Sequence, residues 1–384
     1  MRIAEVFRAF LKLGLTSFGG PVAHLGFFRD EFVIRRKWLS EAAYADIIAL
    51  CQFLPGPASS QAGIALGHLR AGLPGSFAAW LGFTLPSAIL MIAFAYGMHH
   101  LPSSSGWLRG LKIAAVAVVA QAVWNMAPRL CTDFTRRAMA ALAAVATLIV
   151  AAWWMQLALI AAGLIVGAWK LRNDAALAES APQRQGRAFS VACIPAFLGL
   201  FVVLPFAASG GNLWLEIADR FYRAGALVFG GGHVVLPLLE SGTARWVSHT
   251  DFLAGYGAAQ ALPGPLFSFA AYLGALIKWP PWLGGIFALV MIYLPSFLLV
   301  LGTLPHWQRL RSHPRAGGAM GGANAVVVGL LLAALIQPVG TSAITSGTAA
   351  VLAAAAFAAL QFGKVRPWLL VLLCAVVGGL LLAD

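Results

Sequence analysis

The chain has 384 residues, 60% of them hydrophobic and only 10% charged, with a net charge of +13. A soluble domain carries about 25% charged residues, so there are too few charges here to clothe a water-facing surface, and lipid is the expected solvent. The basic residues sit in short connections between apolar runs, without a long basic tract interleaved with aromatics, which argues against a nucleic-acid partner and for membrane topology. Cys51, Cys131, Cys193 and Cys374 lie far apart and form no CxxC pair, so a disulfide or metal framework has no support.

Glu5, Arg8 and Lys12 interrupt the first apolar run, which therefore reads as part of the mature fold and not as a cleaved signal. A spanning helix needs about 20 mostly apolar residues. Runs that qualify are residues 44–66, 77–98, 111–127, 189–207, 252–277, 283–304, 323–337, 343–360 and 368–382. Residues 138–169 fit two short helices in a hairpin turning near Trp154 and Gln156. Residues 3–20 and 213–232 are glycine-rich and carry charges, so each either spans or re-enters. The total is about 13 segments, ordered six, one and six. The expected fold is an all-α polytopic membrane protein of two homologous repeats, of about six hydrophobic segments each, plus one linking transmembrane helix. The first repeat covers 1–172, a polar linker with the extra helix covers 173–210, and the second repeat covers 211–384.

If all 13 segments cross, the connections on the N-terminal side hold Arg70, Arg129, Arg136, Arg137, Lys170, Arg172, Arg184, Arg187, Arg245, Arg309, Arg311, Arg315, Lys364 and Arg366. Those opposite hold Arg109, Lys112 and Lys278. The excess places the N-terminus in the cytoplasm. One cluster, Arg29, Arg35, Arg36 and Lys37, falls on the wrong side if 3–20 spans and on the right side if it re-enters, which favours re-entry.

An internal repeat organises the chain. Residues 10–20 (FLKLGLTSFGG) match residues 221–231 (FYRAGALVFGG), with Lys12 opposite Arg223 and Glu5 opposite Glu216. Trp38 then matches Trp246, residues 52–57 (QFLPGP) match 260–265 (QALPGP), and residues 85–87 (LPS) match 294–296. With six crossings per half and one linking helix, the second half is inverted, a common plan of secondary transporters with the substrate site between the repeats. With five crossings per half, the repeats would be parallel.

Four features carry candidate chemistry. The pairs Pro55-Gly56-Pro57 and Pro263-Gly264-Pro265 break a helix inside an apolar run. Lipid cannot satisfy the freed backbone groups, so the break faces protein or a wet cavity, and the resuming helix offers N–H groups suited to an anion; a packing kink is the plainer alternative. Gly19-Gly20 and Gly230-Gly231 permit close backbone approach to a ligand or to a neighbouring helix. Lys12 and Arg223 are intramembrane cations that either flank a dianion or pair locally, with Arg8 and Asp219 close by. Gln52 and Gln260 bond either an oxyanion or a neighbouring helix. Asp46 is a proton-coupling group or a helix-start carboxylate, His24 and His233 are polar interface residues, and Asn324 is a cap. HExxH, Walker A and G-x-S-x-G signatures are lacking, so an enzyme is not expected.

Phe-Gly-Gly-Pro at 18–21, an aromatic-rich basic stretch, Leu-Pro-Gly-Pro at 54–57 and the same order in the second half resemble the chromate ion transporter family in its long, two-domain form. The resemblance covers about residues 4–383, and departs from the family where the second half reads Phe-Gly-Gly-Gly at 229–232. It implies secondary transport that exports chromate from the cytoplasm across the bacterial inner membrane and confers chromate resistance, without a cofactor. The alternative is a transporter of sulfate or another tetrahedral oxyanion. The implied partners are a chromate- or sulfate-like dianion and the lipid bilayer, with a homodimer as a candidate assembly. The dianion would bind between the two helix breaks, with Lys12 and Arg223 supplying charge.

Overall fold

The computed structural model describes residues 2–18, 20–98, 106–150, 153–171, 187–229, 235–307 and 314–381, and their regular structure is helical throughout. The first half supplies α1 (Arg2–Thr16), α2 (Gly20–Arg29, running on through a π turn, Asp30–Arg35), α3 (Glu41–Phe53), α4 (Ala58–Met98), α5 (Gly106–Leu130), α6 (Phe134–Ile149) and α7 (Trp153–Lys170). The linking helix is α8 (Arg187–Ala208). The second half repeats the order with α9 (Leu213–Ala226), α10 (Val235–Thr243), α11 (His249–Ala261), α12 (Phe269–Ile277), α13 (Pro281–Thr303), α14 (Pro314–Ala334), α15 (Gly347–Gln361) and α16 (Pro367–Leu381). Among the described residues, five helices are long and apolar enough to cross a membrane, namely α4, α5, α8, α13 and α14; α7, α12, α15 and α16 are apolar but shorter.

The Leu-Pro-Gly-Pro runs do not continue as single spans. Helix α3 stops at Leu54 and α11 at Leu262, both with extended backbone (ψ 147° in each). Proline removes the donor that an unbroken helix would need there. The chain then turns back. Trp38 Nε1 donates to the Glu5 carboxylate at 3.2 Å and Arg70 Nη2 donates to it at 3.0 Å, while the Arg70 guanidinium lies 5.1 Å from the Trp38 ring centre. The start of α1, the turn before α3 and residue 70 of α4 thus share one end of the bundle, here the first end. From that end, α1 with α2, and α3 with the first arm of α4 (58–70), each form a hairpin that reaches about 20 Å inward and returns. The run 44–66, expected to span, is therefore a re-entrant hairpin. Non-helical angles at Ala71 and Gly72 reverse the chain once more, and the second arm of α4 (73–98) traverses the whole bundle.

The second half does the same from the opposite end. Lys112, near the start of α5, donates to Thr250 at the start of α11 at 3.0 Å, which places the start of α11 at the far end of α4. There Arg245 pairs with Glu216 at 2.9 Å, Lys278 Nζ lies 5.3 Å from the Trp214 ring centre, and Tyr272 donates to the Asp251 carbonyl at 2.9 Å. The run 252–277 is thus a second re-entrant hairpin. Re-entry puts Arg29, Arg35, Arg36 and Lys37 at the first end beside Arg70, and moves Arg245, expected there, to the second end. Asn324 lies well inside α14, whose start is Pro314, and is not its cap. The hairpin of α6 and α7 turns between Ile149 and Trp153, earlier than expected. The polar linker 173–186 and His233 lie outside the described residues.

The outer helices interlock across the halves. Helix α5 packs on α15 and α16, while its counterpart α14 packs on α6 and α7. A Cβ on Gly110 of α5 would stand 1.9 Å from the Cys374 carbonyl, and one on Gly167 of α7 would stand 2.3 Å from the Gly318 carbonyl. Close backbone approach of this kind is how helices associate where lipid removes the hydrophobic drive between them. Gly106 meets Gly378 and Gly110 meets Cys374, so α5 and α16 are antiparallel; Gly163 meets Gly322 and Gly167 meets Gly318, so α7 and α14 are antiparallel too. Each half pairs two re-entrant hairpins with two membrane-length helices and a hairpin of two shorter ones, and the two halves run in opposite senses.

At the first end the Arg70 hydrogen bond, with Trp38 and the charge of Arg36, outweighs burial and holds the Glu5 carboxyl below the ordinary carboxylate value. A depressed folded value means that this contribution to stability is present above the unfolded carboxyl pKa and is lost as pH falls through the lower folded one. Re-entry itself is open to a sidedness test. Single cysteines in place of Ala42 and Ala71 should react with a membrane-impermeant thiol reagent from one side, and those in place of Ser209 and Lys278 from the other. Labelling of Ala42→Cys and Ala71→Cys from opposite sides would mean that 44–66 spans.

Candidate functional site

Each helix break meets the re-entrant chain of the other half inside the bundle, so the contacts run crosswise. The Gly56 N–H donates to the Val228 carbonyl at 2.6 Å, and the Gly264 N–H donates to the Ser17 carbonyl at 2.9 Å. Val228 and Ser17 hold matching places, each just before the phenylalanine of a Phe-Gly-Gly block. Each break is thus satisfied by the re-entrant hairpin of the other half. Gly56 has φ +131° and Gly264 φ +97°, a region that L side chains rarely adopt. A Cβ on Gly56 would stand 2.9 Å from Ser296 Oγ, and one on Gly264 would stand 3.0 Å from Ser87 Oγ. Ser87 and Ser296 are again matching residues, so this contact is exchanged between the halves as well.

Around the crossing lies a shell of buried hydroxyls and amides. Gln61 Nε2 donates to the Pro55 carbonyl at 2.7 Å, Ser268 Oγ donates to the Pro265 carbonyl at 2.9 Å, and Ser87 Oγ donates to the Thr84 carbonyl at 3.0 Å. Ser60 Oγ lies 3.4 Å from the Tyr293 hydroxyl, and His24 Nδ1 lies 3.4 Å from Ser59 Oγ. Ser17 Oγ, Gln61 Oε1 and Ser296 Oγ are buried without a protein hydrogen-bond partner. An unmet buried polar atom costs about 1–3 kcal/mol; Ser17 lies at the Gly264 break, and Gln61 and Ser296 lie at the Gly56 break, so each break carries bonding capacity that the protein leaves open. The first arm of α4 starts at Ala58 beside this shell, and its leading N–H groups and positive dipole end favour an anion.

Pro55, Gly56 and Pro57 lie against the chain before the second Phe-Gly-Gly block, Pro263, Gly264 and Pro265 lie against the chain before the first, and Gly20 opens α2. Gly19, Gly230 and Gly231 lie outside the described residues. Lys12 is half-exposed and paired with Glu31 at 3.4 Å. Arg223 pairs with Asp219 at 2.6 Å and covers the Phe201 ring at 5.2 Å. Gln52 is exposed on α3, Asp46 lies one and a half turns before it, and Gln260 bonds the Tyr256 hydroxyl. Sequence reasoning missed the hydroxyl shell. Its signals were the serines of the matching Leu-Pro-Ser blocks and the Ser59-Ser60-Gln61 run that follows the first break. Among the described residues, no group of three or more His, Cys, Asp or Glu is placed to hold a metal.

Apolar traversing helices, re-entrant hairpins broken at mid-depth and a polar centre between oppositely directed halves define a polytopic membrane transport protein. The sequence model of the family described as "Chromate transporter" matches residues 4–168 and again residues 215–379, so the chain belongs to the chromate transporter family, whose proteins are transporters and not enzymes. It is 25% identical over 378 residues to a "Chromate transport protein" of Cupriavidus metallidurans, covering 96% of this chain and 90% of that one. A "Chromate transport protein" of Pseudomonas aeruginosa is 28% identical over 345 residues, 88% of this chain and 81% of that one. A "Probable chromate transport protein" of Synechococcus elongatus is 26% identical over 345 residues, 87% and 84% of the respective chains. No solved structure matches the chain.

Because both glycines hold strained backbone against a neighbour, Gly56→Ala and Gly264→Ala should each destabilise the purified protein by about 1–3 kcal/mol. Thermal unfolding in detergent measures this, with Gly26→Ala as a control, since a Cβ there meets nothing within 4 Å. Unchanged midpoints for both would show that the crossing does not hold the halves together.

Proposed function

We propose that the protein is a secondary transporter that exports chromate, a tetrahedral dianion, from the cytoplasm across the bacterial inner membrane, and thereby confers chromate resistance. The observation that carries this reading is the crossing itself: two helix breaks, a helix N-terminus and three unpartnered buried polar atoms at the mid-depth of the bundle. An anion with four acceptor oxygens suits the Ser17 and Ser296 hydroxyls and the backbone N–H groups, which donate, whereas the free Gln61 atom is Oε1, an acceptor suited to a water or a hydroxyl. Pro55, Gly56, Pro57, Pro263, Gly264 and Pro265 would form the cradle, with Gly20 at the start of α2; Gly19, Gly230 and Gly231 are proposed as further contributors. Gln52 and Gln260 flank the two breaks. Lys12 and Arg223 contribute charge to the anion to the extent that Glu31 and Asp219 release them.

The orientation follows from charge. The first end carries Arg29, Arg35, Arg36, Lys37, Arg70, Arg129, Arg136, Arg137, Lys170, Arg315, Lys364 and Arg366, against Arg109, Lys112, Arg245 and Lys278 at the second. That excess supports a cytoplasmic first end and N-terminus. The repeats 1–172 and 211–384, with α8 between them, then form inverted units that rock about the central site in alternating access. The inside-negative potential favours dianion export by about 2.3 kcal/mol per charge per 100 mV, so a strong proton donor is not required for the outward step. Sulfate is the second reading, because a shell of hydroxyls offers the same bonds to either tetrahedral dianion.

The test is chromate and sulfate accumulation in cells expressing the chain, at matched membrane levels of each variant. Chromate should be lower in wild-type cells than in controls, and Ser17→Ala combined with Ser296→Ala should restore it at least tenfold toward control, about the loss of one or two hydrogen bonds to a charged ligand. Lys12→Ala and Arg223→Ala, compared alongside, should restore it if the cations hold the anion. Unchanged chromate with altered sulfate would move sulfate to the front.

A further inference from the structure

A cavity of mixed polar and apolar lining lies away from the crossing, toward the second end. Its volume is about 430 Å³, and it is walled by α6, α7, α10, α11 and α14. Glu240 of α10 and His249 at the start of α11 both line it and touch each other, Oε1 to Nδ1 at 2.5 Å, with the two side chains only 12% and 30% exposed. Gln156 of α7, also on the wall, is 7% exposed; its Nε2 donates to the Pro237 carbonyl at 3.4 Å and its Oε1 has no partner.

The matching carboxylate of the first half is held differently. Glu31 precedes Trp38 by seven residues and Glu240 precedes Trp246 by six, the one-residue surplus falling in the π turn Asp30–Arg35. Glu31 is bonded by Arg36 at 2.6 Å, Arg35 at 3.1 Å and Lys12 at 3.4 Å. Those partners are two guanidinium groups and an ammonium, and no imidazole is among them. Glu240 instead faces an imidazole, the one side chain that ordinarily gains or loses its charge between about pH 5 and 8. The other charges around it are committed or set back. Glu216 of α9 is bonded by Arg245, and Asp251 of α11 accepts from Ser248 Oγ at 2.6 Å. Arg220 of α9 backs α10 at Gly242. The cavity walls from α6, α7 and α14 present Thr147, Gln156 and Gln337, and no ionisable group.

We propose that Glu240 and His249 form a proton-binding site that draws α10 and α11 together and closes the second-end cavity when the imidazole is charged, and lets them part when it is neutral. With the proton bound, the two side chains form a short ion pair between the two re-entrant hairpins of the second half. With the proton gone, a half-buried carboxylate has lost its cation and draws water instead, which widens the cavity. Resting on the proposed export function, this makes external pH a control on the exit side, and acid outside should slow efflux.

The experiment reads the cavity directly. Thr243 lines it and is 1% exposed. Thr243→Cys should react with an impermeant thiol reagent severalfold faster at about pH 8 than at about pH 5.5, after division by the rate at the exposed reference Ser209→Cys. His249→Gln and His249→Arg in the same background should each give a flat ratio, open in the first and closed in the second. A flat ratio without a histidine substitution, or a wild-type profile retained in His249→Gln, overturns the proposal. Efflux from chromate-loaded cells at the same two external pH values is the second readout, and should rise severalfold toward alkaline pH in wild type alone. Cells that export no chromate at any pH would overturn the export function, and the labelling ratio would still decide the switch.

Discussion

Two backbone hydrogen bonds, from Gly56 to Val228 and from Gly264 to Ser17, are the constraint on which the rest of the molecule turns. A helix broken at membrane depth leaves N–H and C=O groups that lipid cannot satisfy, and each costs several kcal/mol unless protein or trapped water meets it. Carbonyls at the breaks are met within each half, by Gln61 at Pro55 and Ser268 at Pro265, but the N–H of Gly56 and that of Gly264 are each met only from the other half. The Leu-Pro-Gly-Pro break of one is completed by the chain before the Phe-Gly-Gly block of the other, and the exchange runs both ways. The halves, although each matches the family model by itself, are therefore not independent lobes at their centre.

The periphery obeys the same rule by a different force. Helices in lipid gain little from burying apolar surface against each other, so they associate through close backbone packing. Gly110 on Cys374 and Gly167 on Gly318 provide it, and again the partners come from opposite halves. Helix α5 sits with α15 and α16 while α14 sits with α6 and α7, so each half completes the outer wall of the other. Exchange at the core and exchange at the rim fix the relative direction of the halves. If they ran in the same sense, the antiparallel contacts of α5 with α16 and of α7 with α14 would not form together.

The duplication was legible in the sequence because it rests on residues with special backbones, and these must recur if the breaks recur. Re-entry was only half legible. Hydropathy counts apolar residues without regard to direction, so 44–66 and 252–277 passed as spans; the misplaced basic cluster of Arg29, Arg35, Arg36 and Lys37 was the one trace of the true path. The ion pair of Arg223 with Asp219 could be read from their spacing of four, whereas that of Lys12 with Glu31 joins residues far apart in the chain and appears only once the hairpin closes. The hydroxyl shell was hidden for another reason. Serine is common and carries no pattern of its own, and Ser17, Ser87 and Ser296 gain meaning only from the cross-half contacts that gather them.

A shell of that composition has a physical logic under the proposed function. A fixed, unpaired cation at mid-membrane would be costly in the empty state and would hold a dianion tightly. The cations nearest the centre in sequence are instead paired with carboxylates at the flanks, and the crossing is lined by neutral donors. Neutral donors leave an empty site affordable, because hydroxyls can bond backbone carbonyls while they wait, as Ser87 and Ser268 do. They also leave the anion's charge largely uncompensated, so that the membrane potential acts on it almost in full. The same donors tie the halves together, since the N–H groups of Gly56 and Gly264 are the ones an arriving oxyanion would contest. Binding and the loosening of one half from the other would then be a single event, which is the coupling that alternating access requires.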